Sequence, residues 1–161
     1  MKGMDGTLKL TSPAFHENGV MPALYTCDGS EAQPPLMIDG APEGTQSFLL
    51  VMHDPDIPAA VKESRGIESF DHWVLYAIPA NTREIEPGVG VSGKNSVGKT
   101  GYVGPCPPPQ YDPREHRYVF TLYALSGNLS FAEPPTAAEA RAAAEPLTLA
   151  RAQLVVRYSR A

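Results

Sequence analysis

Ser47-Phe48-Leu49-Leu50-Val51-Met52, running on into His53-Asp54-Pro55-Asp56, is the stretch that decides the fold. Successive residues of a strand point to opposite faces, so a strand with one wet face alternates apolar and polar residues. Phe48 to Met52 does not alternate: every position is apolar. That predicts a central strand covered on both sides. The polar tail leaves this strand at one end, where Asp and Pro favour a turn.

Outward from this strand, His72 to Ile78 forms a second run, closed by Pro79, and Tyr118 to Leu125 a third. Leu8 to Leu10 and Ala152 to Tyr158 are expected as the first and last strands. Between the runs the chain is broken often, with 14 glycines and 17 prolines among 161 residues. Short β-branched and aromatic runs between such breakers predict a mostly β protein, an antiparallel β-sandwich. One helix near the C-terminus is marked by Thr136 and Glu139, a capping-box pair. The alanine and charge of Ala137 to Glu145 favour it, and Pro146 stops it. A second short helix is expected near residues 59–69. The length, with no repeat and no linker, predicts a single domain over 1–161.

Composition narrows the function classes. Hydrophobic residues make up 42% of the chain, which is globular rather than disordered. A net charge of -5 without Lys/Arg clusters argues against nucleic acid as a partner. Cys27 and Cys106 are too few for a disulfide scaffold; they could pair only if the fold brought them together, and a reduced cytosolic pair is the expectation. No stretch approaches the roughly 20 apolar residues of a membrane span. Met1 to Leu10 has no apolar h-region, so no secretory signal is expected and the location is expected to be cytoplasmic.

The informative polar groups fall in three patches: His53 to Pro58, Asp71-His72-Trp73, and Gly98 to Pro109 with His116-Arg117-Tyr118 beyond it. In the third, glycines let the backbone approach a ligand closely, and the prolines after them stiffen the chain. The combination reads as a preformed rim. Alternation sorts the strand residues onto faces. Phe48, Leu50, Met52 and Asp54 share one; His72, Val74 and Tyr76 another; His116, Tyr118, Phe120 and Leu122 a third. Arg117 and His53 point away. Asp54, His72, His116 and Tyr118 then converge at strand ends, as a pocket with an apolar floor and a few directed groups. Imidazole N–H, phenol O–H and the Gly101 to Gly104 amides suit a phosphate-like anion. Asp54 would accept from a histidine or from a protonated phosphate oxygen. No lysine or arginine is expected to point in, and no cofactor is expected.

Two enzymatic alternatives stand beside this binding module. Cys106 could be a nucleophile with His116 as its base. Asp54, His72 and His116 could hold a metal, although no HExxH or paired CxxC spacing supports it. Blander roles are also open: His72 as a core histidine bonded to a carbonyl, Asp54-Pro55-Asp56 as a plain turn, Trp73 as core.

Taken in order, the patches resemble the phosphatidylethanolamine-binding protein family, in its bacterial Raf-kinase-inhibitor-like branch. The resemblance rests on Tyr25-Thr26-Cys27-Asp28-Gly29 with Pro34-Pro35-Leu36, Asp54-Pro55-Asp56-Ile57-Pro58 and His72-Trp73-Val74. It continues through Gly93 to Tyr102, Gly104-Pro105-Cys106-Pro107-Pro108 and His116-Arg117-Tyr118-Val119-Phe120. It covers almost the whole chain. It implies a β-sandwich with a small pocket for phosphate-like anions, including phospholipid headgroups. Carried over by position, the lining is Asp54, His72, Gly104, Pro105, His116 and Tyr118, with Pro58, Trp73 and Cys106 alongside. The resemblance also implies a non-enzymatic regulatory role, with protein kinases or proteases as partner classes, and leaves a homodimer open.

Overall fold

The unbroken apolar run lies at the centre of the molecule. In the computed structural model, which describes residues 7–160, the elements in chain order are β1 (Lys9–Thr11), β2 (Leu36–Asp39), β3 (Ser47–Asp54), α1 (Ala59–Arg65), β4 (Phe70–Pro79), β5 (Glu84–Ile85), β6 (Val91–Ser92), β7 (Glu115–Leu125), α2 (Ala137–Ala144) and β8 (Thr148–Ser159). Five strands form one sheet in the order β6-β4-β3-β7-β8, and three form another in the order β1-β2-β5. All pairings within the sheets are antiparallel. The two sheets pack through Leu10, Ile38 and Ile85 on one side and Phe48, Leu50, Phe120 and Leu122 on the other. The outer face of the large sheet carries a second core, where Leu49, Val51, Val74 and Tyr76 meet α2. β3 is buried on both faces because both are covered.

α2 approaches the sheet through Ala137, Ala140 and Ala144, one helical face of small, fully buried side chains. Its capping box is complete. Glu139 N–H donates to Thr136 Oγ1 at 3.2 Å, and Thr136 N–H donates to Glu139 Oε1 at 3.0 Å. Thr136→Ala is expected to cost about 1 kcal/mol, read as a lower urea midpoint at unchanged slope. α1 ends at Gly66, whose φ of 65° is left-handed and suits glycine.

The sandwich, both helices and the five expected strands are present, with strand ends shifted by a few residues. The short strands β2, β5 and β6 were not expected. The cysteine expectation is corrected: Cys27 and Cys106 form a disulfide across 79 residues of sequence, their Cα atoms 5.4 Å apart. The sandwich brings the segment after a 3-10 turn at Ala23–Tyr25 against the Gly/Pro rim, which no local pattern encodes. No helix among the described residues is long and apolar enough to cross a membrane.

Candidate functional site

β3, β4 and β7 end side by side, and their last polar residues close over a cavity of about 310 Å³. Asp54, His72, His116 and Tyr118 all line it. They lie deep, with relative exposures of 3%, 5%, 1% and 1%.

Asp54 and His116 form its floor. His116 Nδ1 donates to Asp54 Oδ2 at 2.6 Å. The other carboxylate oxygen accepts the Asp56 amide at 2.7 Å, closing the Asp-Pro-Asp turn. Both oxygens of Asp54 are thus in use. Asp56 in turn grips Arg117 through Nε and Nη2, each at 2.8 Å, and takes the Arg117 amide as well. This fork-shaped pair holds the Asp56 carboxyl below the usual carboxylate range. It also ties the turn to β7 next to His116. Asp54 thus closes the turn through one oxygen and holds His116 through the other.

The second ring nitrogen of His116, Nε2, is buried and no protein group bonds to it. Buried polar atoms without partners are rare enough to demand an explanation. Tyr118 stacks beside His116 at 6.1 Å between centroids, and His72 meets Tyr118 edge-on at 5.3 Å.

Strict alternation would place His72 with Val74 and Tyr76 on the outer face. The register prevents this. Met52 pairs with Trp73 and His53 with Asp71, so His72 is an extra residue, a β-bulge. The bulge turns its ring to the same side as Trp73, into the cavity. His72 was expected there, but for a reason the structure overturns. Its backbone carbonyl accepts the Val103 amide at 3.0 Å, and its Nδ1–H donates to the Val103 carbonyl at 2.8 Å. That bond fixes the tautomer and leaves Nε2 as an acceptor in the neutral ring. Burial holds the His72 imidazole below the ordinary histidine range.

The rim is strapped to the segment around residues 25–31. Tyr102 Oη donates to the Tyr25 carbonyl at 2.6 Å, and Cys27 N–H to the Pro105 carbonyl at 3.1 Å. The disulfide makes a third tie. The Gly104 amide, expected to face an anion, donates instead to Glu31 Oε2 at 2.9 Å. Gly104 is needed for close approach: a Cβ there would sit 2.6 Å from the Tyr25 carbonyl oxygen. Gly104, Pro58 and Cys106 do line the cavity, whereas Pro105 and Trp73 do not. Pro105 faces the strap, and Trp73 is core, edge-on to Tyr102 at 5.3 Å.

Cys106 is no nucleophile in this state, since its sulfur is bonded to Cys27. Nor do the donors suit a metal. Among the described residues no three His, Cys, Asp or Glu side chains are grouped so as to hold an ion.

Arg65 lies on the cavity wall, which corrects the expectation that no cation points in. It bonds the Ser96 carbonyl at 3.2 Å and stands over the Phe70 ring at 5.7 Å. The available signal was helical: Val61 and Arg65, four apart on α1, share a face. Ile57, Phe70 and Val97 complete an apolar wall.

The sequence and the fold are shared with known proteins. The family model described as phosphatidylethanolamine-binding protein matches residues 11–159. A UPF0098 protein of Methanothermobacter thermautotrophicus is 35% identical over 162 residues, covering 95% of this chain and 99% of its own. A phosphatidylethanolamine-binding protein homologue from Chlamydia trachomatis superposes with a TM-score of 0.87 at 31% identity, over 98% of this chain and 100% of its own. Escherichia coli YbcL, described as a member of the mammalian family, shares the fold with a TM-score of 0.83 at 24% identity, over 97% of this chain and 100% of its own.

Proposed function

This chain belongs to the phosphatidylethanolamine-binding protein family, and from that premise we propose that its cavity binds a phosphate-bearing small group without catalysing a reaction. The group is a phosphate ester or a lipid headgroup. The observation that carries the reading is His116 Nε2, buried beneath the cavity and left without a protein partner while Nδ1 is held by Asp54. A protonated His116 would give that nitrogen a hydrogen to donate, with the Asp54 carboxylate behind it as counter-charge. Tyr118 Oη makes no hydrogen bond to the protein among the described residues and adds a second donor. Arg65 supplies positive charge at the wall. The apolar wall accommodates whatever the phosphate is attached to. A regulatory role through a protein kinase or protease partner is consistent with a pocket that binds and does not react.

A neutral His72, its Nδ1–H held by the Val103 carbonyl, presents Nε2 as an acceptor, so an anion there must bring a proton with it. Affinity is therefore expected to rise as pH falls from 8 to 6, by roughly three- to tenfold per unit. Sulfate is the probe of choice because its own charge is fixed over this range; O-phosphorylethanolamine tests the headgroup class. Titration calorimetry should show His116→Ala abolishing the binding and Arg65→Gln weakening it. Affinity that is flat or falls toward acid would overturn the reading. The apo protein moves the other way. His72 is depressed by burial, so its contribution to stability is present above the unfolded histidine pKa of about 6.5 and is lost as pH falls toward its lower folded value.

The disulfide bears on location. Such bonds persist in oxidising compartments and are rare in a reducing cytosol. We place the working protein in an oxidising compartment, against the cytoplasmic expectation. Labelling free thiols in protein taken directly from its native host would test this.

A further inference from the structure

His53, which turns away from the cavity, lies in a second polar site on the opposite face of the large sheet. Inner-face residues Phe120 and Leu122 alternate on β7 with Thr121 and Tyr123, which point outward. Across the ladder these two face Gln153 and Arg151 of β8. α2 covers only part of this face, and Arg141 reaches over the remainder. Two cavities of about 510 Å³ each lie here. They share Tyr123, Arg141 and Arg151, and so form one continuous groove between α2 and the sheet. Glu145 stands at one end, and His53 and Ser69 at the other.

Two observations indicate that the groove takes a guest. First, neither Arg141 nor Arg151 forms an ion pair at contact distance among the described residues, whereas Arg83, Arg117, Arg157 and Arg160 each do; Arg141 acts on Asp71 and His53 only from farther off. Acids are not scarce: the chain has 18 against 13 basic residues. Two unpaired guanidiniums in one groove match the fork geometry that binds phosphate or carboxylate. Second, His53, which lines the groove, has its Nδ1 buried without a partner, and Asp71, opposite it across β3 and β4 and behind the lining, has Oδ1 unpartnered. That end calls for hydrogen-bonding groups. Asp71 would repel an oxyanion placed against it, so the charge belongs in the middle of the groove.

We propose that this groove binds a small hydroxylated molecule carrying one oxyanion, with the oxyanion at Arg141 and Arg151 and the hydroxyls toward His53 and Ser69. The site is separate from the Asp54–His116 cavity and does not depend on what that cavity binds.

The test tracks the arginine Nε–Hε signals in ¹⁵N-labelled protein during titration with glycerol 3-phosphate, glycerate and inorganic phosphate. Single variants Arg141→Gln and Arg151→Gln assign the signals. Saturable shifts of both signals with glycerol 3-phosphate or glycerate support the proposal, and the stronger of the two identifies the oxyanion as phosphate or carboxylate. Inorganic phosphate lacks hydroxyl-bearing carbon and should bind more weakly. Each Gln variant should weaken the effect, read on the remaining arginine signal, at least tenfold. Linear, non-saturating shifts, shifts reproduced by sodium chloride at equal ionic strength, or shifts unchanged in both variants would overturn it.

Discussion

Asp54→Ala is expected to lower the stability of the fold by about 3 kcal/mol, in addition to any effect on binding. The change strands two donors at once, the buried His116 Nδ1–H and the partly buried Asp56 amide. A donor left unsatisfied on burial costs about 1–3 kcal/mol, and two hydrogen bonds are lost here. At this chain length the melting temperature should fall by roughly 6–12 °C. Asp54→Asn keeps the shape and an acceptor, so it should retain most of the stability and still weaken anion binding. His116→Ala combined with Asp54→Ala should cost less than the two single changes added together, because both remove the same bond. Thermal and urea denaturation of the four variants and the parent decide the matter. An Asp54→Ala protein within 1 kcal/mol of the parent would mean that the pair does not support the fold.

The second large effect is expected from Cys27→Ala with Cys106→Ala, or from reduction. Cross-linking constrains the unfolded chain, and for a loop closed across 79 residues the entropic contribution is about 4 kcal/mol. Melting should fall by roughly 8–16 °C. The loss should be local as well as global, since Cys106 lies on the cavity rim. Hydrogen exchange at Val103 and Gly104 should accelerate in the reduced protein, and sulfate affinity should drop. Equal melting with and without reductant, once mass spectrometry confirms both thiols are free, would show that the cross-link does not support the fold.

What the sequence made legible divides along physical lines. β3 was readable because no half-exposed strand is uniformly apolar. α2 was readable because Thr136 and Glu139 carry a two-sided cap whose spacing is local. Asp54, His116 and Tyr118 fell into place because their strands keep a continuous two-residue period through the inner face. β2 and β5 were missed, being four and two residues long, too short to show any period. His72 reached the cavity only through a bulge, and a slip in pairing between β3 and β4 leaves no mark in the composition of either. The role of Asp56 depends on a cross-strand partner 61 positions away. Gly104 and Pro105 show the limit of transfer by position. Their place at the rim was legible, but the Gly104 amide is committed to Glu31, and the Pro105 carbonyl bonds to Cys27.

His72 both donates to and accepts from Val103, so one imidazole wall and the rim act as a single lever. A guest large enough to push the rim outward would strip Nδ1 of its acceptor and release the proton now locked there. The ring could then exchange tautomers, turning Nε2 from an acceptor into a donor facing the guest. Bulk at the mouth would thereby rewrite the hydrogen-bonding polarity at the base, and the cavity would present one chemistry to slender occupants and another to wide ones.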